Sequence, residues 1–146
     1  MNTNRFWFLV TVHLILVYNG KVLLLRRFNT GYEDGKYGLV AGHVDGDEEI
    51  KSAMIREAKE EAGIELTMQE LEVVGVMHRK DAAERIDFFL AATSWAGEIT
   101  NKEPHKCDDL AWFDISELPA NLIPYIRKAL DNYRRGALWF DSFGWP

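Results

Sequence analysis

The sequence predicts an α/β (α+β) fold, a sandwich in which a mixed sheet is covered by helices. Three observations predict it. Six short strand-like runs, the first and fifth rich in β-branched and aromatic residues, are interrupted by two stretches of helical length. The first two runs are separated by Asn19-Gly20, a strong hairpin signal. The order of strands, helix, strands and helix suits a sheet with helices packed on it.

The elements follow in order. Phe6–Tyr18 and Lys21–Arg27 read as paired strands, and a polar, glycine-containing loop, Phe28–Lys36, leads to a third, Tyr37–Ala41. The first helix is predicted from about Asp47 to Ala62, with Asp47 as its cap, Glu48 and Glu49 in its first turn and Gly63 as its stop. Strands follow at Leu71–His78, Ile86–Thr93 and Leu110–Phe113. The second helix is predicted from about Leu122 to Arg135, capped by Asn121, with Pro124 in its first turn and Gly136 ending it. The tail, Leu138–Pro146, carries Trp139, Phe140, Phe143 and Trp145, and is expected to pack over the domain or at a homodimer contact.

Composition narrows the function. The 146 residues suit one domain, residues 1–146, long enough to bury a core without staples. A single cysteine, Cys107, cannot form an internal disulfide, which points to a reducing compartment; it reads as a small filler rather than a nucleophile. The formal net charge of −6 argues against binding a nucleic-acid backbone, but not against a small phosphorylated substrate neutralised by bound cations. The apolar run from Phe6 to Tyr18 is too short to span a bilayer, contains Thr11 and His13, and is followed by no small-residue cleavage site. The expectation is a cytoplasmic protein with no membrane partner.

The chemistry concentrates between Gly42 and Ile64. On the first helix Ile50, Ala53 and Met54 form an apolar stripe, yet Glu57 and Glu61 fall within it and Glu60 at its edge. Carboxylates are costly to bury without compensation. Either the last turn is solvated, or the carboxylates converge on cations. Positions i, i+3 and i+4 share a helix face, so Glu57, Glu60 and Glu61 can point to one spot, and such hard oxygen ligands suit Mg²⁺ or Mn²⁺. Ahead of the helix, Val40-Ala41-Gly42-His43 leaves a strand, and Gly42 permits close backbone approach, so this loop could offer a carbonyl to the same ion. Arg56 could hold a carboxylate through a fork-like pair, or be an ordinary surface ion pair.

These residues match, at every defined position, the signature of the Nudix hydrolases: Gly42, Glu48, Arg56-Glu57-Ala58, Glu60-Glu61, Gly63 and Ile64. A 23-residue pattern with nine defined positions is far more specific than a lone glycine motif. The rest of the chain resembles the family in strand order and in the helix after the last strand. The resemblance implies an α/β/α sandwich and Mg²⁺-dependent hydrolysis of a nucleoside diphosphate linked to another moiety. It gives Glu57, Glu60 and Glu61 as metal ligands and base, Arg56 as the orienting arginine, Glu48 as a mainly structural glutamate, and the Ala41 carbonyl as a metal ligand. Val40-Ala41-Gly42 replaces the family's common Pro-Gly-Gly, a change that a carbonyl ligand survives.

Outside the box, the segment from Trp95 to Glu103 resembles one in MutT-like members that supplies a further metal-binding carboxylate. The match places it at Glu103, with Glu98 and then Asp108 as competitors. The run from Glu103 to Cys107, with Trp112 and Leu118-Pro119, is similar to nucleoside triphosphate diphosphatases of the family. Between Gly63 and Glu103 the chain lacks the proline frequent in members acting on ADP-ribose and the tyrosine frequent in diadenosine-polyphosphate members. Both absences favour a nucleoside triphosphate.

Arg26 and Arg27 end the second strand and point to opposite faces. Either could contact phosphate, and the similarity to MutT-like enzymes favours Arg27. His43, beside the box glycine, could touch phosphate. Phe28, Tyr32, Tyr37 and Trp112 are candidates to stack on a base, against the plainer reading of core or loop packing. His13, on an apolar strand, reads as a satisfied core histidine. The expected reaction is hydrolysis of a nucleoside triphosphate to monophosphate and pyrophosphate, with two or more Mg²⁺ ions and Glu57 as base. The alternatives are a diphosphatase for a dinucleotide or nucleotide sugar, and a non-catalytic nucleotide sensor. Loss of a box glutamate would mark the sensor, and none is lost.

Overall fold

A computed structural model of the chain describes residues 4–146. Strands β1 (Leu9–Tyr18) and β2 (Lys21–Arg27) form the expected hairpin, with Val17 opposite Val22 and Tyr18 opposite Lys21. Asn19 and Gly20 both adopt positive φ, at 51° and 73°, as a two-residue turn of this kind demands. The predicted third strand is divided. Tyr37–Gly38 (β3) pairs with β2, and Val40–His43 (β4) pairs antiparallel with β1. Then come α1 (Ile50–Ala62), a 3-10 turn at Met68–Glu70, β5 (Glu72–Lys80), β6 (Glu84–Ala92), β7 (Cys107–Asp114), α2 (Pro124–Arg134) and β8 (Trp139–Phe143).

The sheet is mixed. β1 and β6 run parallel at its centre, β5 pairs antiparallel with β6, β8 adds parallel to β5, and β7 adds antiparallel to β2. Alternation along β1 separates two cores. Val12, Leu14 and Leu16 face α1 with Ala53, Met54 and Ala58. Ile15 faces the other way, with Phe89 and the Ile126 and Leu130 side chains of α2. One helix therefore covers each face, which is the predicted sandwich.

Some boundaries differ from expectation. β1 starts at Leu9; Phe6 and Trp7 lie outside it and are exposed. Asp47 does not cap α1. Its φ of 59° is left-handed, whereas a cap residue is extended, and Glu49 takes that position without a side-chain hydrogen bond. Nor do Glu48 and Glu49 fill the first turn, because the helix begins one residue later, at Ile50. Asn121 does not cap α2 either; Ile123 holds that position, and Asn121 Nδ2 donates to the Gly35 carbonyl at 2.9 Å. The aromatic tail contains an unforeseen strand, β8. Trp139 lies over Gly75 of β5 so closely that a Cβ on residue 75 would overlap its indole.

Candidate active site

The last turns of α1, strand β4 and the loop before β7 meet at one end of the sheet. Gly63 ends α1 in the left-handed conformation, φ 70°, with its N–H on the Lys59 carbonyl. The following chain is sewn to the segment before β7. Glu65 and Ala96 exchange backbone hydrogen bonds at 2.9 Å, Thr100 N–H donates to Ala62 O at 2.9 Å, and Lys102 N–H donates to Glu61 O at 3.1 Å. These bonds bring Glu103 beside the helix end.

Arg56 organises the acidic face. Its guanidinium grips Glu48 through Nε (2.7 Å) and Nη2 (3.0 Å), and donates to Glu57 Oε1 at 2.8 Å, Glu60 Oε2 at 3.3 Å and the His43 carbonyl at 3.0 Å. The Arg56 bond, with the Asp45 N–H behind it, lowers the Glu48 carboxyl to about 2. Glu48 thus anchors the arginine and the loop in front of α1. Glu57 lies under Gly42, where any Cβ would collide with its carboxylate. Burial raises Glu57 above the usual carboxylate range, against the pull of Arg56.

Glu61 is held differently. Its Oε1 accepts the Ala41 N–H at 2.8 Å, and burial, with Glu57 and Glu103 nearby, pushes it up to about 8. Val44 N–H bonds to Val10 O, so the alternation of the β1–β4 ladder directs the polar groups of Ala41 away from β1. In a strand the N–H and C=O of one residue leave on the same side, so the Ala41 carbonyl faces the Glu61 side.

These groups wall a cavity of about 680 Å³. Glu57, Glu60, Glu61 and Glu103 stand on one side of it, and Arg27, Arg85 and Lys106 also line it. Arg27 Nε donates to the Tyr32 carbonyl at 2.6 Å, and its guanidinium lies 5.3 Å from the Tyr32 ring centre. His43 Nε2 is 3.2 Å from Arg85 Nη1. Glu98 is exposed and outside the cavity. Arg26 and Trp112 lie outside it too. Arg26 pairs with Asp108 at 2.7 Å, and Trp112 packs on Trp95 at 5.8 Å between ring centres. Tyr32 does line the cavity.

Among the described residues no three His, Cys, Asp or Glu side chains are gathered closely enough to hold a metal ion. The donor set nevertheless fits a divalent cation. Hard carboxylate oxygens share one cavity, one of them is raised to about 8 by burial, and Arg56 donates to Glu57 and Glu60 but not to Glu61 or Glu103.

Sequence reasoning missed the cavity floor. His13 does not sit in a satisfied core. It lines the cavity with Thr11, Arg79 and Tyr125; His13, Thr11 and Arg79 bond to the fully buried Asp87, and the Arg79 guanidinium lies 3.7 Å from the Tyr125 ring centre. Three polar residues at strand positions, His13, Arg79 and Asp87, were the available signal.

A family model of the NUDIX domain matches residues 7–133. The chain belongs to the Nudix family. It is 30% identical over 106 residues to a protein of Pseudomonas aeruginosa named NAD-capped RNA hydrolase NudC, an alignment covering 73% of this chain and 36% of that protein. The chain thus spans about a third of the length of that relative. A MutT NUDIX hydrolase from Burkholderia pseudomallei superposes with a TM-score of 0.80 at 30% identity, over 87% of this chain and 98% of that one. The MutT protein from Methanosarcina mazei Go1 shares the fold, with a TM-score of 0.76 at 22% identity over 88% and 94% of the two chains. In this Nudix-family chain the signature runs from Gly42 in β4 through α1 to Gly63 and Ile64, and its Glu57, Glu60 and Glu61 line the cavity while Glu48 holds Arg56.

Proposed function

We propose that this Nudix hydrolase cleaves a nucleoside triphosphate to the monophosphate and pyrophosphate, with Mg²⁺ or Mn²⁺. The observation that supports the reading is the mixed lining of one cavity: Glu57, Glu60, Glu61 and Glu103 share it with Arg27, Arg85 and Lys106. A polyphosphate bridged to the acidic side by cations and held by the basic residues satisfies both. Glu57, Glu60, Glu61, Glu103 and the Ala41 carbonyl would hold the ions. When bound, they would offset phosphate charge and acidify a coordinated water.

The chain's own groups do the rest. Arg56 engages Oε1 of Glu57 and so fixes that carboxylate, while burial keeps it basic enough to take the proton of the attacking water. Arg27, braced by the Tyr32 carbonyl and Thr30, and His43, beside Arg85, orient the phosphates. Arg26 and Trp112, which lie outside the cavity lining, are given no role in this reading.

The relative named NAD-capped RNA hydrolase favours a second reading, cleavage of a diphosphate that joins a nucleotide to another moiety. A phosphate-release screen separates the two, over nucleoside triphosphates with inorganic pyrophosphatase added or omitted, and over dinucleotides and nucleotide sugars with alkaline phosphatase added to free phosphate from the monoesters they would yield. Triphosphates that yield phosphate only when pyrophosphatase is added support the first reading. Turnover confined to dinucleotides or nucleotide sugars replaces it with the second.

A further inference from the structure

The floor of the cavity is a buried polar network. Asp87, fully buried on β6, accepts from Arg79 Nε at 2.7 Å and Nη2 at 3.2 Å, from the Thr11 hydroxyl, and from His13 Nε2 at 3.1 Å. Burial alone would raise its pKa, but the hydrogen bonds from His13 and Arg79, with the Arg79 charge, outweigh that and hold Asp87 well below the usual carboxylate range. An ionised carboxylate only accepts, so His13 Nε2 carries a hydrogen. With the hydrogen placed on Nε2 by this bond, Nδ1 is the ring nitrogen that presents a lone pair.

That lone pair has no hydrogen-bond partner. Among the described residues, four buried side-chain polar atoms lack one, and two of them belong to cavity-lining residues: Nδ1 of His13 and Nε of Arg85. Only the latter has an opposite charge nearby, Asp81 Oδ1 at 3.7 Å. His13 is 3% exposed. Its ring cannot turn to find a partner elsewhere. It is stacked on Phe89, with centres 4.7 Å apart and planes at 14°, and meets the edge of Tyr125 at 5.7 Å. Nε2 is pinned by Asp87. A buried acceptor locked in orientation at a cavity floor is an unusual thing to leave unpaired.

We propose that His13 is a specificity-determining residue, whose Nδ1 accepts a hydrogen bond from an amino N–H on the base of the bound nucleotide. This rests on the reading of the cavity as a nucleotide site. Tyr32, Leu25 and Leu110 line the same cavity and give a flat ring apolar contact; a base that reaches His13 leaves the phosphates to the glutamates and their cations.

Nucleoside monophosphates are the test probes, because either hydrolysis reading releases one. Calorimetric titration in the presence of Mg²⁺ compares AMP with purine riboside monophosphate, and GMP with IMP; each pair differs by one amino group. The wild-type protein is expected to bind the amino-bearing member of at least one pair roughly fivefold or more tightly, the worth of one hydrogen bond. His13→Gln can still reach Asp87 in place of Nε2 but offers nothing at Nδ1. It should lose that difference while keeping its melting temperature. His13→Asn places a polar atom near Nδ1 and falls short of Asp87. It should melt earlier yet retain the preference. Equal binding of both members of each pair by the wild type, or an undiminished preference in His13→Gln, overturns the proposal and leaves His13 a structural partner of Asp87. Failure of the triphosphate reading shows instead in the phosphate-release screen, which does not depend on His13.

Discussion

The carboxylate of Glu57 occupies the space beside the Gly42 Cα where a side chain would begin. The Gly42 φ is not in the left-handed region, so glycine is required here for room and not for backbone freedom. Gly42→Ala should displace Glu57 and lower kcat by roughly 10²-fold, the cost of moving a reacting group by about an ångström. The melting temperature should change little, since a partly buried glutamate can swing aside. Undiminished turnover in Gly42→Ala would contradict the role given to Glu57.

Arg56 ties Glu48, Glu57 and the His43 carbonyl into one unit. Lysine keeps the charge but cannot make the fork to Glu48. Arg56→Lys is expected to cost about 1.5–3 kcal/mol of stability, the range for hydrogen bonds to charged groups. It should also lower kcat, because Glu57 loses its brace. Denaturant titration and steady-state kinetics measure the two effects, and a variant as stable and active as the wild type refutes the arrangement.

Glu61 makes stability depend on pH. Its carboxyl is raised from an ordinary value of 4.5 to about 8, chiefly by burial. Below pH 4.5 it is protonated folded or unfolded. Between there and about pH 8 the folded protein holds a proton that the unfolded chain has released, so stability falls as pH rises through this window. In chelator, the melting temperature should fall from pH 5 to pH 8, and Glu61→Gln should flatten the fall while abolishing most turnover. Saturating Mg²⁺ should restore much of the wild-type stability at pH 8 through binding to the folded state. An unfolded Glu61→Gln variant, or full activity in excess chelator, would remove Glu61 from the site.

Glu103 and Glu98 compete as the carboxylate outside the box, and only Glu103 lines the cavity. Glu103→Gln is expected to raise the Mg²⁺ concentration needed for half-maximal rate, with part of the loss recovered at high Mg²⁺. Glu98→Gln should titrate like the wild type. The reverse pattern in a metal titration would show that the loop is used in another register.

Asp87 carries the floor network without touching solvent. Removing its charge leaves the buried Arg79 uncompensated toward β6. Asp87→Asn is expected to destabilise the fold by about 3–5 kcal/mol, as for one partner of a buried pair. Thermal melts at fixed pH decide it, and a loss within experimental error would mean that Asp81 alone suffices for Arg79.

Local pattern alone determined the α/β sandwich, the Asn19-Gly20 hairpin, the Gly63 stop and the position of the box, because turn chemistry and helical periodicity are written in adjacent residues. The spacing of Glu57, Glu60 and Glu61 likewise placed them together. Tertiary structure decided what depends on which strand lies beside which. Parallel pairing of β1 with β6 sets Thr11 opposite Asp87, and antiparallel pairing of β5 with β6 brings Arg79 to the same carboxylate, 76 and 8 residues away in sequence respectively. No periodicity within one strand can announce that, so His13 looked like ordinary core. The β2–β7 pairing sets Arg26 opposite Asp109 and lets its side chain pair with Asp108, outside the cavity that Arg27 lines. Asp47 failed as a cap for a related reason: its left-handed backbone belongs to a loop shaped by Arg56, eight residues beyond Glu48, and not by the first turn of the helix it precedes.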